Sequence, residues 1–262
     1  MESLIRYLFE DCKEQLNIPD AEQIEISDDK KEQFCTLRSL MNIREPRPIS
    51  KEFLEQQDKF LKSIQTDIVD VSTFKDGMTV WKGDITKLKC DAIVNACNSK
   101  LLGCFYPCHR CIDNTIHTYA GIQLRLECNE IMEKQGHDEP NGQAKITSGY
   151  NLPAKHVIHT VGPIVFGKPT DQNCEDLKKC YESCLKLADE NKLESIAFCC
   201  LSTGEFHFPN EDAAKIAVST VRSLLPECNY IKKVVFCVFK EKDLRIYLRL
   251  TGSSEDSSRC SI

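Results

Sequence analysis

Between Gly103 and Gly121 the chain reads Gly-Cys-Phe-Tyr-Pro-Cys-His-Arg-Cys-Ile-Asp-Asn-Thr-Ile-His-Thr-Tyr-Ala-Gly. Cys104, His109 and Cys111 can give a borderline-soft ion such as Zn2+ three protein ligands, and a tetrahedral ion held by three keeps a fourth position for water or substrate. That open vertex separates a catalytic metal site from a structural one. Two other readings of the same residues stand beside it. Cys108-x2-Cys111 is itself a familiar ligand spacing, and with Cys108 as fourth ligand the site would close; a cysteine-rich chain also places thiols together with no metal at all. Asp113 falls in the first turn of an expected helix, where a carboxylate either moves protons or simply complements the helix dipole. His117 lies one turn on and faces the same side, a position that a packed core histidine also occupies.

Three further groups have the types that nucleotide binding needs. Ser202-Thr203-Gly204-Glu205-Phe206-His207-Phe208-Pro209 follows an apolar run and precedes a helical pattern. Its backbone N–H groups can form an anion-binding concavity for phosphate, with an ordinary connecting loop as the alternative. His207 and its flanking phenylalanines can cover a sugar or base, or plug the loop onto the core. Asp84, after Gly83, can accept a hydrogen bond from an exocyclic amine, and Asn98 can hold a ribose hydroxyl. Both residue types are also common turn formers.

Residues 1 to about 70 read as polar-faced helices, with Leu4, Ile5, Leu8 and Cys12, then Leu37 and Met41, at helical spacing. The prolines of Glu45-Pro46-Arg47-Pro48 end the preceding helix by about Arg44, and Ser50 can cap the next. From residue 71 to 250 short apolar runs alternate with helical patterns, which indicates βα units on a largely parallel or mixed sheet. Strands are expected at Thr79–Trp81, Ala92–Asn95, Val157–Val161, Ser195–Leu201 and Val234–Phe239. Helices are expected at Asp113–Lys134, Glu175–Glu190, Glu211–Leu225 and Asp243–Leu250. In such sheets ligands sit beyond the carboxyl ends of the strands, where Asn95 to Asn98 and Ser202 to Phe208 project. Residues 251–262 are Ser-rich and read as a flexible tail.

Composition narrows the classes. A net charge of -6 provides no basic footprint for nucleic acid, and no apolar stretch is long enough to cross a bilayer. The N-terminus lacks the blocks of a secretory signal, so the sixteen cysteines are expected to be reduced in a cytoplasmic protein rather than paired. Most, including Cys12, Cys35, Cys90, Cys128, Cys180, Cys184, Cys199 and Cys237, fall where cysteine packs as a small hydrophobe.

Taken together, Gly83-Asp84-Ile85-Thr86, Asp91-Ala92-Ile93-Val94-Asn95-Ala96-Cys97-Asn98, Gly149-Tyr150-Asn151-Leu152-Pro153, His156-Val157-Ile158-His159-Thr160-Val161-Gly162-Pro163 and Ile196–Gly204 resemble the macrodomain family. The resemblance implies an α/β fold, a three-layer α/β/α sandwich with a central mixed sheet and a cleft for ADP-ribose, here with an N-terminal helical extension. One branch of the family hydrolyses the bond between ADP-ribose and a modified protein side chain. Where hydrolytic members carry a run of glycines, this chain has Gly103 to Cys111, a substitution similar to that of the zinc-dependent subgroup. In bacteria that subgroup is linked with sirtuin-type transferases and lipoyl-carrier proteins. The resemblance assigns Asp84 and Ile85 to the adenine end, Asn98 to the distal ribose and Asp113 to the catalytic acid position. It assigns Cys104, His109 and Cys111 to Zn2+, and Ser202, Thr203, Gly204, Glu205 and Phe206 to the diphosphate. Glu205 and His207 depart from the smaller residues of zinc-free relatives. The expected activity is a zinc-dependent mono-ADP-ribosyl hydrolase acting on Asp or Glu esters of an ADP-ribosylated protein; a non-catalytic reader of ADP-ribose, or a structural zinc domain, is the alternative.

Overall fold

Short runs rich in Val, Ile and Phe separate the helical patterns, and in a computed structural model, which describes residues 1–18 and 23–253, they pair into one sheet. In chain order the elements are α1 (Glu2–Cys12), α2 (Lys30–Ile43), α3 (Lys51–Ser63), β1 (Val69–Asp70), β2 (Gly77–Lys82), β3 (Leu88–Lys89), β4 (Ala92–Ala96), α4 (Ile112–Ala120), α5 (Ile122–Gln135), β5 (Ala144–Ser148), β6 (His156–Thr160), α6 (Asp171–Glu190), β7 (Ser195–Phe198), α7 (Asn210–Leu224), β8 (Lys233–Val238) and α8 (Glu241–Thr251). The sheet order is β2-β8-β7-β4-β6-β5, parallel throughout except for β5, which runs antiparallel to β6. β1 and β3 form a separate short parallel pair. Helices cover both faces, which makes the α/β/α sandwich with a central mixed sheet.

Parity along each strand decides which layer a side chain enters. In β4, Ala92 and Val94 join the core under α6, α7 and α8, while Ile93 joins the core under α4 and α5. Asn95 shares the parity of Ile93 and is fully buried. In β6, Ile158 belongs to the first core and Val157 to the second, so buried His159 faces α4 and α5 alongside Asn95.

The N-terminal helices close a third core from Leu4, Leu8, Leu37, Met41, Phe53 and Leu61, which also takes in Ile122 of α5. Asp29 caps α2 by accepting from the amides of Lys31 and Glu32, and Ser50 caps α3 by accepting from that of Phe53. Arg44 ends α2 just before the proline joint. Its buried guanidinium pairs with Asp11 at 2.8 Å and donates to the carbonyls of Glu45, Arg47 and Pro48.

The structure departs from the sequence expectation in several places. The helix expected from Asp113 to Lys134 is two helices, because Gly121 sits between them at φ 97° and ψ 171°, a combination open to glycine. Gln57 of α3 fills the notch: its Oε1 accepts from the Ile122 amide at 3.1 Å and its Nε2 donates to Gln123 Oε1 at 2.7 Å. β5 has no apolar run to announce it; as an edge strand it is mostly half-buried. β7 stops at Phe198 instead of Leu201. Of the cysteines expected to be buried, Cys35 is exposed and Cys199 half-buried, while Cys12, Cys90, Cys128, Cys180, Cys184 and Cys237 are buried. α8 runs through Thr251, and residues 254–262 of the expected tail lie outside the described residues. No helix among the described residues is long and apolar enough to cross a membrane.

Gly121→Ala tests the break. A Cβ there would meet Gln57 Nε2 at 2.6 Å on a backbone that L-residues avoid. We expect a loss of about 2 kcal/mol or more, read as a melting point lowered by roughly 4–8 °C.

Candidate functional site

Because the strands from β2 to β6 are parallel, their carboxyl ends share one edge of the sheet, and the loops carrying Asp84, Asn98, Gly162 and Ser202 leave from it. The opposite edge has a broad depression lined by Lys89, Lys155, Lys232 and Lys233. Each of these lysines is paired with a carboxylate, Asp70, Asp91, Glu194 and Asp76 respectively. Their charges cancel, so that end offers no cationic cradle.

At the carboxyl edge, the irregular segment between β4 and α4 folds so that the ligand atoms of Cys104, His109 and Cys111 lie within 4.8 Å of one another. Cys104 Sγ stands 3.7 Å from His109 Nδ1. Bonds of about 2.3 Å to sulfur and 2.0–2.1 Å to nitrogen at a tetrahedral ion put the two ligand atoms about 3.5 Å apart, so the spacing fits zinc. Burial pushes the Cys111 thiol up to about 12, and the facing Cys104 adds to the rise. A cation beside the Cys111 sulfur would favour its thiolate. Cys108 turns away: at φ 52° its Sγ lies 3.3 Å from Ser39 Oγ of α2 and 3.3 Å from the carbonyl of Cys35. His109 Nε2 faces Glu205 Oε1 at 3.8 Å, which brings the loop after β7 to the ligand group.

Cys111 also starts α4, its Sγ accepting from the Asn114 amide at 3.4 Å. Asp113 is therefore released from capping and points inward, only 5% exposed. Asn95 Nδ2 donates to Asp113 Oδ1 at 2.8 Å, and Asn98 Nδ2 stands 3.5 Å from Oδ2 while donating to the carbonyl of Gly103 at 3.1 Å. Burial raises the Asp113 carboxyl to about 6, against the lowering pull of the Asn95 hydrogen bond and the Arg125 charge. The Asn95 amide has two hydrogens and two acceptors, Asp113 Oδ1 and His159 Nδ1 at 3.2 Å. His159 Nε2 consequently carries the proton and donates to Thr147 Oγ1 at 2.9 Å.

His117 is a core histidine. Burial first, then the charge of Arg125 and the neighbouring His159, drives its pKa well below the ordinary value, so the ring is neutral. Its Nε2 lies 3.5 Å from Asp113 Oδ1, yet neither ring nitrogen is hydrogen-bonded, and the contact is polar rather than ionic. The ring supports the start of the ligand segment, since a Cβ on Gly103 would come within 2.8 Å of it. His117, Cys128 and His159 also bring ligand atoms within 4.8 Å of one another, but both nitrogens of His159 are occupied by hydrogen bonds.

In the loop after β7, Phe208 plugs the core at 1% exposure and Phe206 is half-buried. The amides of Gly204, Glu205 and Phe206 donate to no acceptor among the described residues, whereas those of Thr203, His207 and Phe208 close the turns around them. Three successive free N–H groups are what an anion concavity requires. Ser202 sits at φ 61° with its Oγ buried and unpartnered beside Gly162. Asp84 Oδ1 accepts from the amide and hydroxyl of Thr86, which starts a turn and keeps Oδ2 for another donor; the Ile85 side chain is buried.

The edge thus unites Asn98, Cys104, His109, Cys111, Asp113 and Glu205, with Asp84 at its far side. Sequence reasoning gives no role to His159, Asn114 and Arg38, and it expects Asn95 to project with Asn98 at the strand end, whereas the side chain is buried within β4. Asn95 and His159 carry a signal, a polar residue interrupting an apolar strand run; Asn114 and Arg38 depend on how the helices dock.

The Macro domain family signature matches residues 94–217. A protein-ADP-ribose hydrolase of Treponema medium is 52% identical over 241 residues, spanning 88% of this chain and 92% of its own. One from Staphylococcus aureus (strain MRSA252) is 49% identical over 249 residues, 93% of each chain. Among solved structures, the Trypanosoma brucei macrodomain in complex with ADP-ribose superposes with a TM-score of 0.65 at 29% identity, covering 82% of this chain and 95% of that one. The Oceanobacillus iheyensis macrodomain with ADP superposes with a TM-score of 0.61 at 39% identity, covering 66% and 88%. The chain belongs to the Macro domain family.

Two outcomes check this geometry. On loading with Zn2+, Cys104→Ser should retain far less metal than wild type, whereas Cys108→Ser should retain most of it, as measured by elemental analysis; the reverse pattern would exchange the ligand assignment, and no uptake by the wild type would remove it. In the metal-free protein, Asp113 holds its proton between about pH 4 and 6 while the unfolded chain has lost it, so stability falls as pH rises through that window. Asp113→Asn should therefore be more stable than wild type at pH 7.5 by on the order of 2 kcal/mol, the two melting points converging toward pH 4.

Proposed function

We propose that the chain is a zinc-dependent mono-ADP-ribosyl hydrolase that removes ADP-ribose from modified protein side chains, with Asp or Glu esters as its substrate class. One observation carries the reading: Cys111 of the ligand group caps the helix in whose first turn Asp113 lies, buried and oriented by Asn95. Relatives about half identical to this chain over most of their length bear the name protein-ADP-ribose hydrolase, and a structural neighbour holds ADP-ribose.

The order of the sheet supports the binding mode. β2 and β4 are separated by β8 and β7, three strand spacings or about 14 Å. Asp84 therefore stands at one end, Asn98 and Asp113 at the other, and the free amides of Gly204, Glu205 and Phe206 between them. An adenosine at Asp84 and the Ile85 backbone, a diphosphate on the loop from Ser202 through Thr203 to Phe206 and a distal ribose at Asn98 follow that sequence. Cys104, His109 and Cys111 would hold Zn2+, which would supply Lewis acidity toward a ribose hydroxyl or water.

Asp113 keeps Oδ1 on Asn95 and presents Oδ2 on the side of Asn98. From there it orients water and accepts its proton, and a carboxyl raised to about 6 is both ionised and usefully basic near neutral pH. With attack at the ribose carbon, the water oxygen bonds to that carbon as the bond to the ester oxygen breaks, and the side chain leaves as a carboxylate. Such a group departs without a proton donor. That suits a site whose nearby histidines, His117 and His159, are buried and neutral. The sirtuin-type transferase and lipoyl-carrier protein rest on the family resemblance alone.

The test is a metal-quantified hydrolysis assay on aspartyl-, seryl- and arginyl-linked ADP-ribose. The aspartyl ester should be cleaved, chelation should abolish cleavage and Zn2+ restore it. Asp113→Ala should keep its zinc and slow single-turnover release about a hundredfold or more. Full activity without metal would remove zinc, equal cleavage of all three linkages would remove the ester class, and tight ADP-ribose binding with no release would make the protein a reader.

A further inference from the structure

The ligand segment has neither helix nor strand to hold it, yet its backbone is fixed at four points from Cys104 to His109. Asn114, fully buried on α4, donates from Nδ2 to the carbonyls of Cys104 at 3.2 Å and Tyr106 at 3.0 Å. The amide of Asn114 is itself clamped from α2, where Arg38 donates to its Oδ1 from Nε at 3.1 Å and from Nη2 at 2.7 Å. The same Nη2 donates to the carbonyl of His109 at 2.8 Å. A residue turn further along α2, Asn42 Oδ1 accepts from the Cys108 amide at 3.0 Å, which holds Cys108 in its left-handed backbone conformation.

We infer that Arg38 is a positioning residue for the Cys104–His109–Cys111 group, and that the N-terminal helices are a working part of the metal site. The inference rests on the reading that this group holds metal. The planar guanidinium locks the Asn114 amide so that its NH2 must face the loop, and it ties down the residue carrying the imidazole ligand. A loop ordered before the ion arrives does not have to lose its backbone freedom on binding. Removing the clamp returns that cost to the metal equilibrium. Partners beyond the ligands themselves are typically worth a factor of about ten to a hundred in metal affinity.

Cobalt(II) and zinc(II) competition against a chromophoric chelator, run on the full chain, reads this directly. Arg38→Ala should bind Co(II) about tenfold or more weakly and show altered thiolate-to-cobalt absorption, while retaining a cooperative melt and metal-free ADP-ribose binding. Arg38→Lys should recover only part of the affinity, because an ammonium cannot hold Asn114 Oδ1 and the His109 carbonyl in one planar fork. Asn42→Ala should weaken Co(II) binding less, and Lys62→Ala, on the exposed face of α3, should match wild type. Failure of the wild type to take up Co(II) would overturn the metal reading itself. Normal uptake by the wild type, with unchanged affinity and spectrum in Arg38→Ala, would overturn the inference alone. Were Arg38→Ala to lose its cooperative melt, unchanged affinity in both Arg38→Lys and Asn42→Ala would overturn it equally.

Discussion

A guanidinium with 5% of its surface exposed has to find an acceptor for its donors inside the protein, and Arg125 of α5 finds them on both sides of a junction. Its Nη1 donates to the carbonyls of Met41 and Asn42, at 3.1 and 2.8 Å, and to that of Arg44; its Nε donates to the carbonyl of Leu102 at 2.6 Å. The open carbonyls at the end of α2 thus meet a buried cation, the favourable partner for a helix C-terminus. The same group lies 4.1 Å from the centre of the Phe105 ring, in the ligand segment. Burial lowers Arg125 only to about 10, so it remains charged at neutral pH and its field reaches Asp113. Helix docking, the course of the ligand segment and the charge state of the acid all converge on one side chain.

The carboxyl edge of the sheet concentrates groups that a purely structural design would avoid. Asp113 is an acid held in the interior, Asn95 Oδ1 and both His117 nitrogens are buried without partners, and Ser202 combines a positive φ with an unsatisfied hydroxyl. Each disfavours folding on its own. The two cores that flank the sheet offset them, with Tyr181, Phe198 and Phe236 packed on one face and Ile93, Leu124 and Val157 on the other. Local rules broken at one edge of a well-packed fold mark the place where ligands and reactions are accommodated.

Much of the sheet was legible in the sequence because buried parallel strands leave apolar runs, and β4, β6, β7 and β8 all do so. β5 leaves none, since an edge strand alternates, and Gly121 resembles a tolerated helical glycine until Gln57 is seen to enter the break. Asp113 and the Cys104, His109 and Cys111 spacing could be read because short-range spacing suffices to bring them together. Cys108 could not be resolved that way. Its direction depends on Ser39 and Asn42, which are close in space but more than sixty residues away in sequence. Arg38 belongs to the same class, an ordinary residue on a polar helix face until α2 is docked.

The cysteines have one more consequence. Burial pushes Cys90, Cys97, Cys128, Cys180, Cys184 and Cys237 far toward the neutral thiol, the form that neither oxidants nor electrophiles attack readily. Cys174 and Cys228, half-buried elsewhere, are raised as well. Among the described residues, exposed Cys35 and half-buried Cys104, Cys108 and Cys111 cluster where α2 meets the ligand segment. That junction is where several neighbouring thiols and solvent meet, so oxidation there would strike the ligand segment itself, while the buried sulfur of the two cores is shielded.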